Sequence, residues 1–227
     1  MIKGAFRAYL EEAIGRENAL VAFSAFEQPA SVAVRMNPFK KCHVFDGEQV
    51  AWSKWGRVLS ERPVFTLDPH FHGGAYYVQD SSSMFVGEVF RQCLESLEIP
   101  AGRPVRVLDL CAAPGGKTTD LAASLREKFA DGFVLVANEV MKQRAGVLAS
   151  NVALWGDPNV VVTCDDPRAS ASLTGYFDII VADVPCSGEG MFRKNPEAID
   201  EWSISNVKMG GLTLVAKWQS INYQVIK

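Results

Sequence analysis

From residue 105 onward the chain alternates short apolar runs with amphipathic stretches. Runs rich in Val, Ile, Leu and Phe predict strands over 105–110, 133–138, 159–164 and 177–183. Between and after them, helical periodicity predicts helices at about 117–128, 140–152 and 196–206. The strands are nearly continuous in their apolar character, which is the pattern of a parallel sheet covered on both faces. Regular βα alternation makes the fold class α/β, a doubly wound Rossmann-like sheet. The first hundred residues read differently. A charged amphipathic helix spans Phe6 to Ile14, and Ser31-Val-Ala-Val-Arg-Met-Asn37 alternates like a half-buried strand before Pro38 ends it. The chain therefore divides into a small α+β N-terminal region, 1–100, and an α/β core, 101–227.

The first strand of the core runs into Val107-Leu-Asp-Leu-Cys-Ala-Ala-Pro-Gly-Gly-Lys-Thr-Thr119. Its Gly-Lys-Thr ending invites comparison with a phosphate-binding loop, which needs a glycine five residues before its final glycine. Counting back from Gly116 lands on Cys111, and Pro114 removes one of the N–H donors a phosphate nest would use. What remains is a strand, a glycine turn and a helix start, with a ligand expected at the strand's carboxyl end.

Every predicted core strand ends in acid: Asp109, Glu139, then Asp165 and Asp166, then Asp183. In a parallel sheet all four ends share one edge and line one crevice. An acid after the second strand is placed to accept ribose hydroxyls. Such a crevice repels pyrophosphate and suits a cofactor that joins ribose and adenine to a cation, so S-adenosylmethionine fits better than NAD. The GxGxxG spacing of a dinucleotide site is also missing.

Composition excludes little else. A 227-residue chain with 48% hydrophobic and 22% charged residues and a net charge of −3 reads as an ordinary globular protein. Five cysteines (42, 93, 111, 164 and 186) without a CxxC pair argue against structural zinc and a disulfide framework, so a reducing cytoplasm is expected, with no metal. No apolar run approaches membrane-spanning length. The oligomeric state has no signature. Arg35, Lys40 and Lys41 gather near His43 and read as a solvated edge. Together with Arg193 and Lys194 they would give RNA an attraction that is weak and salt-dependent.

The second chemical stretch is Ala182-Asp-Val-Pro-Cys-Ser-Gly-Glu-Gly-Met-Phe-Arg-Lys194. Cys186 follows the fourth strand directly and stands near Asp183, with Gly188 and Gly190 permitting close approach of a ligand and Arg193 and Lys194 supplying positive charge. Inert packing of the thiol and a nucleophilic role weigh about equally on position alone, and the neighbours favour the latter.

CAAPGGKT at 111–118, Asn138-Glu139, Asp165-Asp166-Pro167-Arg168 and DVPCSGEGMFRKNPEAI at 183–199 together resemble the Sun-type family of RNA cytosine-C5 methyltransferases. RMNPFK at 35–40 and LDPHFHGGAYYVQDSSSMF at 67–85 resemble the region before the methyltransferase core in that family. The resemblance is strongest to bacterial members that modify ribosomal RNA; transfer RNA is the alternative substrate. It implies an S-adenosylmethionine-dependent enzyme in which Cys111, Ala112, Ala113, Pro114, Gly115, Gly116 and Lys117 wrap the methionine part. Glu139 would hold the ribose and Asp166 the adenine amino group. Asp183 would sit near the sulfonium and the target base, oriented by Lys117. Tyr76, Tyr77 and Gln79 are read as packing. The family's chemistry uses a thiolate that adds to C6 of cytosine, so that C5 can attack the methyl group.

The resemblance also implies two cysteines, one matching Cys186 that releases product and a second, nucleophilic one after the fifth strand. Beyond Val207 this chain reads KMGGLTLVAKWQSINYQVIK and contains no cysteine. The expectation is a truncated or frame-shifted product with an atypical sheet end. Either it is an inactive cofactor-binding fragment, or Cys186 itself is the nucleophile. In either case Cys186, Asp183 and Lys117 are the catalytic candidates.

Overall fold

The computed structural model describes residues 4–41, 45–98, 102–184, 188–195 and 197–208. The N-terminal amphipathic pattern becomes α1 (Gly4–Ile14), and a second helix the pattern did not announce, α2 (Arg16–Phe26), follows at once. Among the described residues, those up to Ala30 and those from Val184 form one compact unit, and Ser31–Asp183 form the other. The division expected near residue 100 falls inside the second unit.

In the second unit an antiparallel sheet comes first. Its strands are β1 (Val32–Met36), β2 (Glu48–Gln49), β3 (Gly56–Leu59) and β4 (Tyr76–Val78), in the order β2-β3-β1-β4. The short helix α3 (Pro69–His72) lies before β4, and α4 (Phe85–Ser96) follows it. Strand β1 was expected to be half-buried, with one wet face. It is instead covered on both. Val34, with Val32 and Met36 beside it, faces a cluster with Leu59, Phe65 and Tyr76, while Ala33 faces Val50 and Met84. Alternation still holds, but its second face meets protein rather than water.

The core follows the predicted alternation: β5 (Val105–Asp109), α5 (Gly116–Phe129), β6 (Phe133–Asn138), α6 (Lys142–Trp155), β7 (Val160–Thr163) and β8 (Ile179–Val181). All pairings in this sheet are parallel, in the order β7-β6-β5-β8. Helix α5 is buried without interruption from Thr118 to Leu125. A helix buried all round lies between layers. One side packs into the sheet through Leu121, Leu125, Val107 and Leu135, and α4 covers another through Phe90 and Leu94.

The first unit holds α1, α2 and the segment after Gly188. The long helix predicted at 196–206 is broken: α7 (Glu197–Glu201) stops before Trp202, and helical turns resume at 204–208. The break lets Trp202 turn inward against Phe6 at 5.1 Å, edge to face, with its indole N–H donating to Glu189 Oε1 at 2.7 Å. Phe6 meets Phe26 and Phe192 in the same edge-to-face manner. One ring thus joins the two ends of this unit.

Phe6→Ala is expected to cost about 3–5 kcal/mol, the range for removing a buried aromatic ring. Amide hydrogen exchange should speed up in α1, α2 and 189–202 while β5 and β6 stay protected. Equal loss of protection in the parallel sheet would show that the aromatic cluster does not open as a separate unit.

Candidate functional site

Chain order places β6 and β7 on one side of β5 and β8 on the other, so the strand order reverses between β5 and β8 while the strands stay parallel. Open α/β sheets bind ligands at that point, outside the carboxyl ends of the strands. The structure brings the predicted acids to this edge: Asp109 ends β5, Glu139 follows β6, Asp165 and Asp166 follow β7, and Asp183 follows β8. Cys186 and the tail from 209 lie outside the described residues.

The loop from Cys111 to Gly116 is built from fixed backbone. Cys111 packs onto the apolar cluster of Leu108, Leu110, Phe177 and Ile180. Ala112 and Ala113 are buried, and Ala112 N–H donates to Asn138 O at 2.9 Å. The Ala113–Pro114 peptide is cis. Gly115 sits at φ +108°, where a side chain is strained, and a Cβ there would also crowd Leu148.

Four successive carbonyls of this loop each accept from a side chain. Arg144 Nη2 donates to Ala113 O at 2.9 Å, and Asn151 Nδ2 donates to Pro114 O at 2.7 Å. The Thr119 hydroxyl donates to Gly115 O at 2.9 Å, and Arg35 Nη2 donates to Gly116 O at 2.9 Å. Arg144, Leu148 and Asn151 are one face of α6 at i, i+4 and i+7 spacing. The carbonyls are turned into the protein. The first N–H groups of α5, which have no acceptor within the helix, remain for a ligand.

The acids are not bare, contrary to the repelling crevice the sequence suggested. Lys117 Nζ meets Asp183 Oδ2 at 2.7 Å, as expected from the resemblance. Glu139 is buried; its Oε1 accepts from Met141 N–H at 3.0 Å, and its Oε2 lies 3.3 Å from Arg144 Nη1. Asp166 caps the short helical turn 167–172 and accepts from Arg168 N–H, Nε and Nη2. Asn138 bonds the Asp165 backbone in both directions, so the ends of β6 and β7 are tied together. Asp109 is fully buried. Its Oδ2 accepts the Thr118 hydroxyl at 2.7 Å, and its Oδ1 has no partner. Burial pushes its carboxyl up to about 6, against the Thr118 bond and the Lys117 charge, with Asp183 adding to the rise.

The basic cluster of the N-terminal region is not a solvated edge. Arg35 is completely buried. Lys40 Nζ donates to Gly73 O at 2.8 Å and to Leu154 O at 2.6 Å, and burial lowers its pKa. Burial takes Arg35 out of reach of a phosphate, and two of the Lys40 donors are committed to backbone carbonyls. Lys41 alone of the three is exposed. Tyr77 and Gln79 pack as expected: the Tyr77 hydroxyl donates to Pro114 O at 3.3 Å, and Gln79 accepts from Arg35. Residues the sequence reading passed over are Arg144, Asn151 and Thr119, while Asn138 was quoted there only as part of a motif. For the first two, the i, i+7 spacing on α6 was the available signal.

The donor set fits S-adenosylmethionine. First-turn N–H groups suit a carboxylate, and the acidic edge suits an ammonium, a sulfonium and ribose hydroxyls. The unpartnered Asp109 Oδ1 adds a buried acceptor beside the Lys117–Asp183 pair. Among the described residues no His, Cys, Asp or Glu cluster could hold a metal ion, and no helix could cross a membrane.

The model of the family described as 16S rRNA methyltransferase RsmB/F matches residues 100–213, half of the chain. The model of the N-terminal domain of 16S rRNA methyltransferase RsmF matches residues 3–81. Ribosomal RNA small subunit methyltransferase F of Enterobacter sp. (strain 638) is 31% identical over 218 residues, covering 88% of this chain and 43% of that protein. The same enzyme of Pectobacterium carotovorum subsp. carotovorum (strain PC1) is 42% identical over 135 residues, 59% of this chain and 26% of that protein. The chain thus spans less than half the length of these curated relatives. A methyltransferase homolog from Pyrococcus horikoshii superposes with a TM-score of 0.68 at 26% identity, over 94% of this chain and 66% of that one. NSun6 from the same organism, solved with SFG, superposes at 0.72 with 16% identity, over 96% and 79%, and shares the fold.

Asp109 gives the site a pH signature. A carboxyl raised from 3.8 to about 6 holds its proton in the folded state where the unfolded chain has lost it. Stability therefore falls as pH rises from about 4 to 6, by roughly 3 kcal/mol in all, and stays lower above that. Asp109→Asn keeps an oxygen for the Thr118 hydroxyl and removes the charge. Its urea stability minus that of the wild type should grow between pH 4 and 6 and then level off; a difference independent of pH would refute the assignment.

Proposed function

The chain belongs to the 16S rRNA methyltransferase RsmB/F family, and we propose that it binds S-adenosylmethionine at the carboxyl edge of its parallel sheet and serves methyl transfer to C5 of cytosine in ribosomal RNA. The observation that carries this reading is the meeting of acid-tipped strands with the α5 N-terminus at the β5–β8 reversal. S-adenosylmethionine, when bound, supplies an electrophilic methyl group.

The chain's own residues do the rest. First-turn N–H groups of α5 hold the carboxylate of the amino-acid part. Glu139 accepts from the ribose hydroxyls, with Arg144 keeping its second oxygen in place. Asp166 serves the adenine amino group and is oriented by Arg168. Lys117 holds the Asp183 carboxylate beside the reacting end, where it accepts a hydrogen bond from the cofactor's ammonium or from the exocyclic amino group of the cytosine. A target base has to leave its stack to reach such a site. The thiol chemistry falls on Cys186. Of the two cysteines the family uses, these 227 residues match one, so the expected behaviour is cofactor binding with little turnover.

Calorimetry with S-adenosylhomocysteine should show binding that Glu139→Ala and Asp183→Ala each weaken by about 1–3 kcal/mol, because each change strands ligand donors. Tight ATP binding, or no effect of either change, would defeat the cofactor reading. Incubation with undermethylated ribosomal RNA, transfer RNA and labelled cofactor tests the reaction. Robust incorporation at cytosine C5 that Cys186→Ala abolishes would make Cys186 the nucleophile and overturn the expectation of low turnover.

A further inference from the structure

The cofactor loop is held from three sides, and one of its holders comes from the other sheet. Arg35 lies on β1, opposite Tyr77 of β4 in the antiparallel register. Its guanidinium has no solvent exposure and faces one side of Trp155 at 4.7 Å. Nε donates to Gln79 Oε1 at 2.9 Å, while Nη2 donates to Gly116 O at 2.9 Å and to the Thr119 hydroxyl at 2.5 Å. That hydroxyl in turn donates a hydrogen bond to Gly115 O, which also accepts from Thr119 N–H at 2.9 Å. One side chain therefore governs two adjacent loop carbonyls, one directly and one by relay.

The electrostatic surroundings do not account for the arrangement. The nearest acid, Asp120, is 3.7 Å from Arg35 Nε and 3.7 Å from Arg91 Nη1, and neither of its oxygens has a hydrogen bond. Arg35 Nη1 is likewise without a partner. A buried charge triad with such incomplete pairing contributes little net stability, and apolar replacement of similar shape is often neutral. What this guanidinium supplies is direction. Its planar fork reaches Gln79 on one side and the loop on the other, which a lysine ammonium cannot do.

We propose that Arg35 is a positioning residue for cofactor binding: by fixing the Gly115 and Gly116 carbonyls from behind, it aims the first N–H groups of α5 into the ligand crevice. This rests on the reading of that crevice as the S-adenosylmethionine site. The antiparallel sheet is then part of the binding machinery without touching the ligand.

The test separates aim from stability. Arg35→Met combined with Asp120→Asn removes both charges, so neither is left buried without the other, while Gln79, Gly116 O and the Thr119 hydroxyl lose their donor. In the ligand-free protein, hydrogen exchange of the Gly115 and Thr119 amides, which are bonded to Ala112 O and Gly115 O, should accelerate, and S-adenosylhomocysteine should bind about tenfold more weakly or worse. Gln79→Leu keeps the cation and frees Nε, and should shift both readouts the same way by less; it decides the matter if the double variant does not fold. Asn37→Ala is the control. It removes donors to Gly74 O and Trp155 O, loosening β1 from α6, and should lower the melting temperature with affinity held within about twofold. Unchanged loop exchange and affinity in the double variant, or an equal loss of affinity in Asn37→Ala, would overturn the proposal. If the wild type binds no S-adenosylhomocysteine, the cofactor reading fails, and loop exchange still decides what Arg35 does.

Discussion

A helix that starts at a ligand must leave its first N–H groups unpaired, and the turn before it must then be kept from folding its carbonyls across them. In this protein the carbonyls of Ala113, Pro114, Gly115 and Gly116 are each anchored by a side chain drawn from β1, α5 or α6. The turn that follows β1 serves the far end of the neighbouring helix as well. Asn37 donates to Trp155 O, and Lys40 donates to Leu154 O, so the last carbonyls of α6 are satisfied and its negative pole meets a cation. Arg35, Asn37 and Lys40 therefore fasten one strand to the start of α5 and the end of α6. Polar residues of β1 and the turn after it point inward because the backbone they meet is polar.

Legibility from sequence followed the physics of each element. The strands β5 and β6 were readable because burial writes long apolar runs, β7 and β8 because their Val and Ile runs are just as continuous although less buried, and the acid tips followed from chain order alone. Helix α2 was not, since only Ala19 and Phe23 are buried and no capping residue announces it; α4 did carry a signal, with Gly87, Phe90 and Leu94 at i, i+3 and i+7, that the reading passed over. Arg35 and Lys40 were misread because charge in a sequence looks solvated unless the second layer is known. Trp202 had no signal either: helical periodicity ran through it, and only its contact with Phe6 explains the break. The match of Asp183 with Lys117 came from the family resemblance rather than from spacing.

Electrostatics at the crevice are also subtler than a row of carboxylates. Asp183, Glu139 and Asp166 each lie within reach of a cation from the adjoining helix or turn. Discrimination then depends less on bulk negative potential than on which acceptor lone pairs are left and where they point. Asp109 is the exception, because its charge is masked from water and its second oxygen is unspoken for. A ligand with both a cationic and an anionic end meets complementary groups at both.

The aromatic cluster around Phe6 has a consequence for how the molecule is made. Phe6, Phe23 and Phe26 leave the ribosome early, whereas Phe192 and Trp202 emerge about 160 residues later, some ten to thirty seconds at ordinary elongation rates. Through that interval the first two helices expose rings whose eventual partners do not yet exist, while every partner of the parallel sheet is being added in sequence. Closing so long a loop is slow, and sticky surface waits in the meantime. The nascent chain should thus depend on a holding chaperone for its first helices far more than for its sheet.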